Sequence, residues 1–92
     1  MYNITDYSKH QAEKLGVYIT PSKNPKFKID VYNGDKDYIT SIGSPNYSDY
    51  PTYIKTHGKE YADERRRLYK LRHNKDRHIQ YSRGWFSDNI LW

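Results

Sequence analysis

Ninety-two residues with no cysteine, 35% hydrophobic content, a mean hydropathy of -1.18 and a net charge of +5 allow one small domain with a thin core. They exclude a disulfide or thiolate-metal staple, and they leave little room for the walled cavity that most enzymes build. Eleven tyrosines and two tryptophans are the main apolar material, and such rings tolerate a wet interface because each carries a polar handle.

The chain opens on a polar segment. Asp6, Lys9, His10, Glu13 and Lys14 interrupt residues 1–16, so neither a signal peptide nor a membrane span is expected there. Asp6 to Gly16 reads as a short helix, with Ser8 and Gln11 as a capping box and Gly16 as its stop. Val17 to Pro25, with Pro21, Ser22, Asn24 and Pro25, reads as an extended connection. Residues 1–25 are thus expected to form an N-terminal arm carrying one short helix.

Residues 26–92 are expected to make one domain. Lys26 to Tyr32 alternates, with Phe27, Ile29 and Val31 on one face and Lys28, Asp30 and Tyr32 on the other, which predicts a half-buried strand. Asn33-Gly34 signals a hairpin turn, and Asp37 to Gly43 supplies the returning strand. Gly43 to Tyr53 combines turn formers with Tyr47, Tyr50 and Tyr53, which predicts a contact loop.

From Lys59 to His73 glycine and proline are absent. Tyr61, Ala62, Leu68 and Tyr69, with Arg65 and Arg72, fall on one side of a helix. Its acids Glu60, Asp63 and Glu64 precede its bases Arg66, Arg67, Lys70 and Arg72, the order that suits the helix dipole. Asn74 to Arg77 is a polar break, and Trp85, Phe86, Ile90, Leu91 and Trp92 form an apolar cluster suited to a short final helix. The fold class is α+β: a β-hairpin flanked by helices, with extended N-terminal and tyrosine-rich segments.

Chemistry-bearing constellations are sparse. His10, His57, His73 and His78 lack the spacing of a metal site and read as solvated or phosphate-facing. No serine sits in a nucleophile elbow, and Asp35 and Asp37 belong to turn chemistry. Neither catalytic residues nor a cofactor, a metal or a small-molecule substrate is expected.

Charge, by contrast, is uneven. From Met1 to Tyr53 six lysines balance six acids, whereas Ile54 to Trp92 carries four lysines and six arginines against five acids. All the arginines lie in that second part, and arginine suits bidentate pairing with carboxylate or phosphate. Arg65, Arg66, Arg67, Lys70, Arg72, Lys75, Arg77 and Arg83 are therefore the candidate contacts to an acidic partner or to phosphates. Tyr61, Tyr69, Tyr81 and Trp85 interleave with them as rings do on nucleic-acid surfaces.

One ordered set of residues carries a resemblance. The Lys26-Phe27-Lys28-Ile29-Asp30-Val31-Tyr32 strand is followed by Ser41-Ile42-Gly43, Tyr47-Ser48-Asp49-Tyr50, Arg66-Arg67 with Tyr69, Arg72-His73, and Gly84 to Leu91-Trp92. In this order, over about two-thirds of the chain and leaving Met1 to Asn24 outside, the sequence resembles an uncharacterised family of short basic proteins of tailed phages and large DNA viruses. The resemblance implies a viral origin and assigns no mechanism. With a viral origin, the composition fits an auxiliary or minor capsid protein, made in the host cytoplasm, present in the virion and bound between larger capsid subunits. Tyr47, Tyr50, Tyr53, Trp85, Phe86, Leu91 and Trp92 are then candidate protein-interface residues, the last ones equally suited to the domain's own core. The alternative is a basic nucleic-acid-binding protein that contacts packaged or free DNA.

Overall fold

The computed structural model describes residues 2–92. Helix α1 spans Asp6–Leu15 and is capped by Thr5, whose hydroxyl accepts the Ser8 backbone N–H at 3.2 Å, and Gly16 ends it in the left-handed conformation. The cap is therefore Thr5 and not Ser8. The Ser8 hydroxyl is buried and donates to the Ile90 carbonyl at 2.8 Å, and Gln11 Nε2 donates to the Asn89 carbonyl at 2.9 Å. A buried hydroxyl needs a partner, and the C-terminal helix supplies it, so the segment expected as an arm is bonded into the domain.

The stretch expected as an extended connection contains strand β1, Tyr18–Pro21. It pairs antiparallel with β2, Ile29–Tyr32, in the register Tyr18↔Tyr32 to Pro21↔Ile29. Pro21 ends the edge strand, where a missing N–H breaks no ladder. Strand β3, Tyr38–Ile42, completes the sheet order β1-β2-β3, so the expected hairpin is present as its second half. Its loop is longer than a two-residue turn: Asn33 Oδ1 accepts the N–H groups of Asp35 and Asp37, both at 2.9 Å.

Strand β2 is paired along both edges, and Ile29, Asp30 and Val31 are buried, so residues of both its faces are covered. Ile29 and Val31 enter the core with Ile42 of β3. Asp30, on the other face, accepts from Ser41 Oγ at 2.6 Å and Ser22 Oγ at 2.7 Å. Burial alone would raise its carboxyl; these bonds and the Lys23 N–H outweigh burial and hold it below the usual range.

The tyrosine-rich stretch is not a loop throughout. Helix α2 spans Tyr50–His57, capped by Asp49, whose Oδ1 accepts the Thr52 N–H at 3.1 Å, with Pro51 in its first turn. Gly58, at φ 90° and ψ 167°, turns the chain directly into α3, Lys59–Arg72; that backbone region is open essentially to glycine alone. A 3-10 turn at Asp76–His78 leads to α4, Arg83–Ile90, capped by Ser82. Gly84 lies against that turn, and a Cβ there would stand 2.6 Å from the Asp76 Cβ.

Phe86, Ile90 and Leu91 fill the centre, with Tyr50, Ala62, Tyr69 and Trp92 closing one side. Among the described residues, four α-helices and a three-stranded antiparallel sheet thus form one compact α+β domain.

Candidate functional site: a basic aromatic cleft

An open cleft of about 880 Å³ lies between the loop after β3, the inward face of α3 and the turn before α4. Helical spacing builds one wall. Arg65, Tyr69 and Arg72 fall at i, i+4 and i+7 on α3, so two guanidinium groups flank one ring. Tyr69 is buried and stacks on the Trp92 indole at 4.4 Å between centroids and 8° between planes, and its hydroxyl donates to Ser87 Oγ at 3.0 Å. Burial pushes that hydroxyl up from its usual range.

Rings continue on both sides of this pair. His73 stacks on Tyr69 at 4.4 Å, Tyr53 lies 6.1 Å from Trp92, and Tyr61 stacks on His57 at 4.5 Å beyond Tyr53. The inner members of this ladder, Tyr53, Trp92, Tyr69 and His73, line the cleft. Leu91 and Trp92 form the floor, and Tyr47, 70% exposed, stands at the rim.

Arg65 stands over the Tyr53 ring at 5.7 Å, and its buried Nε–H has no acceptor. On the facing wall Arg83 lies over the Phe27 ring at 4.7 Å and donates from Nε to the Ser41 carbonyl at 3.0 Å. With Lys26 and Arg72 they make four cleft cations that join no salt bridge among the described residues, whereas the fifth, Lys28, is paired. Two carboxylates reach the cleft. Asp76 lies 3.8 Å from His73, and Asp49 is already paired with Lys28 at 3.0 Å.

The Lys28–Asp49 pair is the structural base of the cleft. Asp49 is buried, caps α2 and also accepts the Tyr2 hydroxyl at 2.6 Å. Burial opposes its ionisation, and the bonds from Thr52 N–H, Tyr2 and Lys28 outweigh burial, leaving the carboxyl below its usual range. The same environment, burial first and Asp49 second, raises the Tyr2 hydroxyl.

The candidate residues separate accordingly. Among the bases, Arg65, Arg72 and Arg83 meet in the cleft. Arg66 lies over the Tyr50 ring at 4.4 Å, and Lys75 is exposed outside the cleft. Arg67 is paired with Glu64 at 2.6 Å, Lys70 with Asp88 at 2.8 Å, and Arg77 with Asp88 at 3.9 Å, so these three are not free for an acidic partner.

Among the protein-interface candidates, Tyr50, Phe86, Leu91 and Trp92 are buried in the domain's own core. A core this thin needs them, because few other large apolar side chains exist. Tyr53 and Trp85 are half-buried, and Tyr47 alone stands free. Lys26 and Phe27 were absent from the candidates: they precede β2 in sequence, and only the fold brings them opposite Arg83.

Among the described residues no three His, Cys, Asp or Glu side chains converge as a metal ion would require, and no helix is long and apolar enough to cross a membrane. No family model, curated protein or solved structure matches the chain.

Proposed function

We propose that this chain is a non-enzymatic binding protein that holds nucleic acid in its basic aromatic cleft. One observation carries the reading: four cations without carboxylate partners, Lys26, Arg65, Arg72 and Arg83, surround a cleft lined with rings, and of the two carboxylates there Asp49 is paired with Lys28 and Asp76 lies 3.8 Å from His73. Phosphates can pair with the guanidinium groups through two N–H bonds and with the Lys26 ammonium as a point charge, and bases offer faces to the rings.

The exposed apolar side chains outside the cleft favour a second reading, that of an auxiliary or minor capsid protein seated between larger subunits. Tyr18, Tyr38 and Ile39 are exposed on the sheet, and Leu71 and Tyr81 are exposed around the polar break. The two readings are compatible in a virion protein that touches the genome on one side.

Thermal melting with and without DNA, at low and at moderate salt, tests the first reading. DNA is expected to raise the melting midpoint at low salt and to lose that effect as salt rises, because phosphate contacts release counterions. A midpoint indifferent to DNA at both salts overturns it and leaves the capsid reading, which co-purification of the chain with intact particles then tests.

A further inference from the structure

We infer that the cleft selects unpaired nucleotides and excludes duplex, an inference that rests on the nucleic-acid reading above. It comes from where the free cations sit. On the outward face of α3, Lys59 is paired with Asp63 and Arg67 with Glu64, so the helix face that would enter a major groove carries little net charge. Of the three α3 arginines that meet no carboxylate, Arg65 and Arg72 line the cleft, where Lys26 and Arg83 join them, and Arg66 lies over the Tyr50 ring outside it. A duplex keeps its bases stacked inside and presents a broad convex backbone. It reaches the rim of a cleft and leaves the half-buried rings of Phe27 and Tyr53 unused.

A single strand has neither restriction. Its bases splay, and their faces stack on rings while the backbone follows the charges. Tyr47 at the rim has a free ring, and Phe27 and Tyr53 lie half-buried deeper in, each already held by a guanidinium. Arg72 and Lys26, exposed and on different elements, can follow the phosphates across the opening. The cleft suits on the order of four nucleotides, the low end of known single-strand sites. Ring stacking tolerates every base, so little sequence preference is expected, and the same chemistry admits DNA or RNA.

Fluorescence anisotropy of the full chain with labelled oligothymidine, oligouridine and a duplex of equal length tests this. At least tenfold tighter binding of either single strand than of duplex is expected. Tyr47→Ala, at an exposed position that does not disturb the fold, should weaken single-strand binding tenfold or more. R65A/R72A, checked for folding by circular dichroism, should weaken it further. It should also make the slope of log K against log salt shallower by roughly 1.4, two phosphate contacts at about 0.7 each. K59A/R67A, on the outward face, should change neither.

Duplex binding equal to or tighter than single-strand binding overturns the inference and leaves the nucleic-acid reading standing. Single-strand binding that survives in folded R65A/R72A overturns the cleft as its site. Failure of all three nucleic acids to bind overturns the nucleic-acid reading itself.

Discussion

The two faces of α3 carry similar numbers of basic residues and use them differently. Outward, Lys59 and Arg67 meet Asp63 and Glu64 at 2.8 and 2.6 Å in solvent; inward, Arg65 stands over the Tyr53 ring and Arg72 lines the cleft, and neither meets a carboxylate. A count of charges along this helix therefore says little about the field it projects. The acids lie at Glu60, Asp63 and Glu64, about half a helical turn from the Arg65–Tyr69–Arg72 stripe, and that offset separates a neutral face from a cationic one. The positive potential is concentrated in a concavity, where low-dielectric walls strengthen it.

The largest effect is expected beneath the cleft. Asp49→Ala removes the α2 cap, orphans the Tyr2 hydroxyl and leaves Lys28 buried without its counter-ion. It should cost about 3–5 kcal/mol in urea unfolding, a large part of the stability of so small a domain. K28M/D49A should recover part of that loss, because the uncompensated charge is gone while the missing cap still costs about 1 kcal/mol. If the double variant were no better than the single one, the pair would matter only through the cap, and the cleft's base would not be electrostatic.

The same carboxyl sets the acid limit. Asp49 and Asp30 both titrate below their usual range when folded, so each contributes stability that is complete above the unfolded carboxylate value, about 3.9, and is lost as pH falls through the lower folded values. The melting midpoint is expected to stay level from neutral pH to about 5 and to fall below about 4. In Asp49→Ala this acid limb should be shallower. An unchanged limb would assign it to other carboxylates.

Gly84→Ala comes next. The new Cβ would meet the Asp76 Cβ at 2.6 Å and its backbone at 3.1 Å, forcing the 3-10 turn away from α4 at the wall that carries Arg83. A loss of about 1–3 kcal/mol is expected, as for overpacking elsewhere, with weaker oligonucleotide binding. Stability loss with unchanged binding would show that the Arg83 wall is dispensable.

Much of this was legible from local pattern. Period-two alternation gave β2, Asn33-Gly34 gave the hairpin, and the absence of breakers from Lys59 to His73 gave α3, because each depends on residues within a few positions of one another. The same helical projection had already set Arg65 and Arg72 beside Tyr69. What stayed hidden depends on distant partners. Strand β1 exists because β2 offers it an edge, and the four residues Tyr18–Pro21 carry too short a signal to separate a strand from a connection. Helix α2 was masked by Pro51, which reads as a turn former unless Asp49 is recognised as the cap just ahead of it. The cleft itself joins Phe27 to Arg83 and Trp92 to Tyr69, and no spacing in a sequence announces such contacts.

The smallest effect is expected on the outward face, and it is the most direct test of the contrast between the two sides of α3. Hydrogen bonding to Arg67 holds the Glu64 carboxyl below its usual range, yet both groups stand in water. The ordering of two long side chains and screening by salt offset most of what such an exposed pair gains. Glu64→Ala should therefore leave the melting midpoint unmoved at moderate salt. Its consequence is electrostatic: Arg67 is released, and the outward face gains one free cation. If free charge anywhere on α3 were sufficient, oligonucleotide binding would tighten and its salt dependence would steepen. If the concave arrangement of charge with rings is what binds, affinity for a single strand should stay unchanged, with at most a small gain for duplex at low salt. That split between single strand and duplex is the measurement that distinguishes a charged helix from a built cleft.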